Sequence, residues 1–233
     1  MDKILGKITR ISGPIIHAAG LNGAGLFDVV EVGEKHIIGE VVRIEGDDAV
    51  IQVYEDDTGL MVGAPAVTTG RPLSVELGPG LIGTIYDGIE RPLASLYKQD
   101  GPFMAVGSRG DALDQHKKWH FVPDADLAAR IQGGEKIKAA GGMVIGGVQE
   151  TNAVLCKITV PPGSVNTASV AEGVFTELVP EGDYDVNTPV ARTSAGLEIK
   201  LAQWWPVRIP RPSVKRLGAE QPLITGQRVI DVF

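Results

Sequence analysis

The first 70 residues alternate apolar and polar side chains in short runs, each cut off by glycine or acidic residues. "KILGKITRISGPIIHAAG" alternates and breaks at Gly13-Pro14; "LFDVVEVG", "HIIGEVVRIEG" and "DAVIQVYE" follow. A period of two puts successive side chains on opposite faces of a strand. Turns every eight to twelve residues or so then point to a small closed barrel or a sandwich, and closure removes exposed strand edges. Thirty glycines and fifteen prolines punctuate the whole chain too often for long helices.

Beyond residue 70 the pattern changes. "RPLSVELGPGLIGTIYDGIERPLASLY" is looser, and "DALDQHKKWH" opens a polar, glycine-rich stretch. One short helix is expected around Asp124 to Gln132. A second β block follows in "GMVIGGVQETNAVLCKITVPPG" and "GVFTELVPEGDYDVNTPVART". The prolines of "WWPVRIPRP" force an extended path. "QPLITGQRVIDVF" places an apolar strand, with Val229, Ile230, Val232 and Phe233, after a Thr-Gly turn, and such a strand without neighbours is a sticky edge. The chain is therefore expected to be mostly β. Its expected parts are a barrel over 1–70, a connecting segment over 71–113, an inserted β domain over 114–189 that folds as a unit, and a return segment over 190–233.

Net charge is −7, unevenly spread. From Arg192 onward there are seven Lys/Arg against three Asp/Glu, and fifteen against twenty-six before it. The acidic part argues against a nucleic-acid platform. The single cysteine, Cys156, lies in a strand-like run and has no partner for an internal disulfide, which fits a reducing cytoplasm and a structural thiol. Met1 to Leu5 shows no signal-peptide run, and no stretch reaches the ~20 apolar residues of a membrane span.

The candidate motifs carry little chemistry. "GPGLIG", Gly78 to Gly83, matches G-x-G-x-x-G. Pro79 sits inside it and "TIYDG" is expected to continue as β, so no helix N-terminus is offered to a pyrophosphate; an oxidoreductase reading rests on this match alone. His116 and His120 are spaced to share a helical face around "KKW", but no third zinc ligand is nearby. His17 and His36 stand alone in strand-like runs. "YEDDTGL", Tyr54 to Leu60, clusters three carboxylates and reads as an acidic turn rather than a cation site. There is no G-x-S-x-G and no G-x-x-x-x-G-K-[ST]. No catalytic, cofactor-binding or metal-ligating residue is therefore assigned, and Arg208, Arg211, Lys215, Arg216 and Arg228 are expected to attract a polyphosphate only weakly.

The run "TTGRPLSVELGPGLIGTIYDGIERPL" resembles the catalytic A subunit of archaeal A-type and vacuolar V-type rotary ATPases. "GKITRISGPII", "IQVYEDDTGL", "VPPG", "EGDY", "WWPVRIPRP" and "PLITGQRVIDVF" agree with that family in the same order, so the resemblance covers essentially the whole chain. It implies a β-barrel in the crown of an alternating hexamer with B-type subunits, and an insertion that projects outward. It also implies the start of an α/β nucleotide domain, with the sequence stopping just before the P-loop that holds Mg-ATP. Partners implied are B-type, peripheral-stalk and central-stalk subunits, with no nucleic acid and no direct membrane insertion. The location implied is cytoplasmic, peripheral to the cell membrane, and the activity is ATP hydrolysis or synthesis coupled to proton or sodium transport. The insertion also resembles the barrel-sandwich fold of lipoyl and biotinyl carriers. Its expected hairpin tip, Glu150 to Ala153, has no lysine, and Lys157 lies further along the strand. A carrier or small-molecule binding module is the rival reading.

Overall fold

The alternating runs form six strands: β1 (Ile4–Ser12), β2 (Ile15–Ala19), β3 (Asp28–Val32), β4 (Ile37–Glu45), β5 (Asp48–Val53) and β6 (Pro65–Pro72). They close a barrel in the order β1-β2-β5-β4-β3-β6, and β6 returns to β1 with Lys7 opposite Pro65 and Gly6 opposite Ala66. The computed structural model describes residues 4–161, 173–210, 218 and 224–227. Period two decides which side chains point inward: Ile16 and Ala18, Val30 and Val32, and Ile51 and Val53 line one core. Each such large aliphatic contributes roughly 1.5–3 kcal/mol on burial. The barrel is tight enough that a Cβ at Gly39 of β4 would lie 2.7 Å from the Ile51 side chain and 2.9 Å from the Gln52 carbonyl oxygen. Only glycine fits there, which explains the break in "HIIGEVV".

The connecting segment holds β7 (Ser74–Leu77) and α1 (Leu93–Asp100). The helix was not expected from the sequence. Its signals are short: Pro92 at the N-cap, Lys98 in the last turn, and Gly101 at φ 81° returning its N–H to the Tyr97 carbonyl. "TIYDG" does not continue as a strand. The Asp87 carboxylate accepts the backbone N–H groups of Ile89 and Arg91 at 3.1 and 2.8 Å, closing a turn that leaves one isolated bridge, Tyr86 to Pro92.

The insertion contains β8 (Trp119–Pro123), α2 (Ala125–Gln132), β9 (Val144–Thr151), β10 (Val154–Thr159), β11 (Phe175–Leu178), β12 (Gly182–Tyr184), β13 (Pro189–Thr193) and β14 (Glu198–Lys200). It runs past the expected end at 189, because β13 pairs with β11 and β14 and their Val190 and Ile199 join its core. Helix α2 stands where the sequence places it, because Asp124 caps it by accepting the Leu127 N–H at 2.9 Å. Two sheets, β10-β9-β8-β12 and β11-β13-β14, share a second core built on Phe121, Ile145, Val148, Phe175, Val190 and Ile199. Hairpin β9–β10 pairs Thr151 with Val154, so Asn152-Ala153 is a two-residue tip. Strand β15 (Gln203–Pro206) then pairs with β7, Gln203 opposite Leu77. That two-stranded sheet brings the two ends of the insertion together, and Asn187 Nδ2 donates to Gln115 Oε1 at 2.6 Å across the same neck. The expected terminal strand, Val229 to Phe233, and Arg211, Lys215, Arg216 and Arg228 lie outside the described residues.

Candidate functional site

The chemistry-bearing side chains lie mostly at the junctions that join barrel, connecting segment, insertion and return segment in pairs. The Gly78–Gly83 turn follows β7, and the next helix does not begin until Leu93, so no helix opens within the motif. Instead Glu150, at the end of β9, sends Oε1 into the turn and accepts the N–H groups of Gly80 at 2.7 Å and Ile82 at 3.1 Å. Successive backbone amides aimed at one point form an anion-binding nest, and here the chain's own carboxylate fills it. Gly80 has φ 114°, a backbone conformation that side-chain-bearing residues avoid. The turn packs against the root of the insertion: a Cβ at Gly78 would lie 2.9 Å from Leu113 Cδ1.

Arg91 locks the connecting segment to the barrel. Its Nε donates to Asp87 Oδ2 at 2.7 Å, and Nη1 donates to Glu55 Oε2 at 3.0 Å and to the Ser108 carbonyl at 3.1 Å. The Arg91 and Glu55 side chains are each 9% exposed. Gly107 N also donates to Glu55 Oε2, at 2.9 Å. Burial works to deprotonate the guanidinium, but the bonds to Asp87 and Glu55 outweigh it and its pKa stands above the ordinary value. The acidic turn thus divides: Glu55 turns inward, while Asp56 accepts the N–H and hydroxyl of Thr58 at 2.9 and 2.6 Å.

Arg208 holds the return segment against the barrel wall. Its guanidinium grips Glu40 of β4 with two bonds, Nε to Oε1 at 3.0 Å and Nη2 to Oε2 at 2.5 Å, and stacks 4.3 Å from the centre of the Phe27 ring. Glu40 is 3% exposed and also accepts the Tyr54 hydroxyl at 3.0 Å. Burial and then the Glu40 bond raise the Tyr54 pKa. This arginine, expected to attract polyphosphate, is engaged within the chain.

Between the barrel and the connecting segment lies a cleft of about 360 Å³ lined by Val29, Ile38, Leu73, Ile89 and Trp204, with Glu76, Glu90 and Asp111 on its polar side. Glu90 Oε2 accepts the Glu76 N–H at 2.5 Å, and Gln115 Nε2 reaches Glu76 Oε2 at 3.4 Å. Burial raises both carboxyls above their usual range; Asp111 adds to the shift of Glu76, and Glu76 to that of Glu90.

The histidines do not form the pair considered from their spacing. His120 is on β8, and its two ring nitrogens meet Asp183 at 2.9 Å and Glu181 at 3.0 Å; those bonds, Glu181 first, raise its pKa. His116 lies in the loop before β8, His17 is on β2, and His36 contacts Glu31 at 3.1 Å. Among the described residues no group of three His, Cys, Asp or Glu is placed to hold a metal ion. Cys156 is half-buried on β10 against the insertion core. Among the described residues no helix is long and apolar enough to cross a membrane. Nothing in the linear pattern pointed to Glu150, Arg91 or Glu40, because their partners lie 36 to 168 positions away in three of the bonds involved.

Two family models match the chain. "ATP synthase alpha/beta family, beta-barrel domain" covers residues 8–70, and "ATPsynthase alpha/beta subunit barrel-sandwich domain" covers residues 110–208. The A subunit of the A-type ATP synthase from Pyrococcus horikoshii is 47% identical over 232 residues, 98% of this chain and 22% of the relative. Its counterpart from Staphylothermus marinus is 46% identical over 99% of this chain and 36% of the relative. A V-type ATP synthase alpha chain from Clostridium novyi is 46% identical over 98% of this chain and 36% of the relative. The chain thus spans between about a fifth and just over a third of the length of the curated relatives it matches.

Proposed function

Because the chain belongs to the ATP synthase alpha/beta family, we propose that it is the assembly portion of a catalytic subunit in an ion-translocating rotary ATPase. The barrel of 1–70 packs beside the barrels of B-type subunits in an alternating hexamer. The insertion, from residue 114 to the end of β14 at Lys200, projects outward, and peripheral- and central-stalk subunits complete the assembly. Segment 71–113 connects the barrel to the insertion within the nucleotide domain, and the return segment after β14 leads on to the P-loop part of that domain. The parent subunit hydrolyses or makes ATP with magnesium, coupled to proton or sodium movement, on the cytoplasmic side of the cell membrane.

The single observation that carries this reading is the alignment of 98–99% of the chain, through both domains, with A-type and V-type subunits. The chemistry of these residues supports it. Phosphoryl transfer needs amides wrapping the phosphates, a lysine on them and a hydroxyl on magnesium, and these 233 residues contain no G-x-x-x-x-G-K-[ST]. The glycine-rich turn has its amides on Glu150 and Arg208 is bonded to Glu40. Leu5, Met61 and Val62 leave 64–69% of their surface exposed on a barrel that has no open strand edge, so association there proceeds through side chains. A carrier role finds no lysine at the Asn152-Ala153 tip, and Lys157 is in the body of β10.

Sedimentation velocity tests this assignment. Mixed with a purified B-type subunit at micromolar concentration, the chain migrates as a complex, and substitution of Met61 and Val62 by Asp abolishes it. Independent migration of the two unaltered proteins at every ratio overturns the assembly role.

A further inference from the structure

We propose that Glu150 is an interdomain latch: its carboxylate occupies the anion nest of the Gly78–Gly83 turn and fixes the direction in which the β10-β9-β8-β12 sheet leaves the connecting segment. The inference does not depend on the function proposed above.

A β-bulge brings Glu150 to this place. The pairing of β9 with β10 steps from Gln149–Leu155 to Thr151–Val154 and leaves Glu150 as the extra residue with no opposite partner. Two positions beyond the fully buried Val148, at the edge of the core, its side chain meets the turn. A half-buried carboxylate otherwise faces a partial loss of its hydration. Here one oxygen receives two amides, from Gly80 and Ile82, across 70 and 68 positions of sequence. A charged acceptor makes those bonds stronger than neutral ones.

The turn is built to receive it. Gly80 takes φ 114°, which lets successive N–H groups converge. Thr84 N–H donates to the Leu81 carbonyl at 3.2 Å and closes the loop. The opposite side of the turn is backed by the insertion's root, with a Cβ at Gly80 only 3.3 Å from the Trp119 ring. The insertion therefore touches the connecting segment at its root, through Gln115 and Trp119, and at its hairpin, through Glu150. The root alone permits the sheet to pivot; the second contact, near the hairpin tip, removes that freedom.

Amide hydrogen exchange and residual dipolar couplings on the full 233-residue chain test the latch. In E150A, protection at Gly80 and Ile82 falls about tenfold or more, while amides of the barrel and of the insertion core keep theirs. The couplings of β8, β9 and β10 then need a different or averaged alignment relative to the barrel. E150D, one methylene shorter, behaves like E150A, whereas E150Q keeps the shape without the charge and loses less protection. Unchanged protection at Gly80 and Ile82 in folded E150A overturns the contact. Lost protection with unchanged relative alignment overturns the latch and leaves only a local bond. Should E150A lose structure throughout, E150Q decides: wild-type protection at both amides contradicts a role for the charge, and a selective loss there supports it.

Discussion

Replacing Arg91 by Met removes three hydrogen bonds at once, to Asp87, Glu55 and Ser108. The methionine fills much of the volume, so the loss is mainly electrostatic. Glu55, with its side chain 9% exposed, keeps only the Gly107 N–H on the same oxygen, and Asp87, 18% exposed, keeps its two backbone donors. Breaking a buried pair by removing one partner costs about 3–5 kcal/mol, because the surviving charge is stranded. For a chain of this size each kcal/mol lowers the midpoint by roughly 2–4 °C, so R91M melts roughly 6–20 °C below the parent. The double variant E55L/R91M recovers a large part of the loss, because no stranded Glu55 charge remains. The barrel and insertion have separate cores, so scanning calorimetry, which resolves separate transitions, is the suitable assay. A cost for R91M below ~1 kcal/mol, the value of an exposed pair, refutes the reasoning, as does a double variant no more stable than R91M.

Gly107 has φ 81° and a Cβ there would lie 1.9 Å from the Lys35 carbonyl oxygen, so G107A is destabilised by roughly 2–5 kcal/mol from backbone strain and overlap together, read as a lower urea midpoint; a neutral effect shows that this loop does not dock on the barrel. Burial raises the Glu76 and Glu90 carboxyls in the fold, so their contribution to stability is full below the ordinary carboxylate range and is lost as pH rises through the raised values. E76Q is accordingly more stable than the parent at pH 7 and loses that advantage below about pH 4, whereas an equal difference at both pH values contradicts the assignment. R208A frees the return segment from Glu40 and Phe27, and hydrogen exchange near Trp205 to Ile209 quickens while the insertion core is unaffected; uniform protection in the variant argues that the grip does not hold this segment.

Much of the barrel was legible because a half-buried strand writes its period into the sequence. Ile16/Ala18 and Val30/Val32 alternate with partly exposed residues as expected. Helix α2 was legible from a local cap, Asp124. Helix α1 was not: it is eight residues long, buries only Leu96 and lies in a glycine- and proline-rich stretch, so it has little periodic signal. "TIYDG" misled because β-branched and aromatic residues favour strands, yet the Asp87 turn decided its path. His116 and His120 are spaced for a helical face, but His116 lies in a loop and His120 on a strand; a spacing of four carries no information until the element type is known. The junction was the least legible part. Arg208 to Glu40 spans 168 positions and Gly80 to Glu150 spans 70, and pairings across such separations leave no mark in one sequence.

Isothermal titration with Mg-ATP at near-physiological salt tests most directly the proposal that these residues serve assembly and do not themselves hold the nucleotide. The account predicts no saturable heat, with any weak attraction to basic residues fading as salt rises, because screening acts over roughly 8 Å at that ionic strength. A saturable, magnesium-dependent site of micromolar affinity contradicts it and places a nucleotide pocket within these 233 residues.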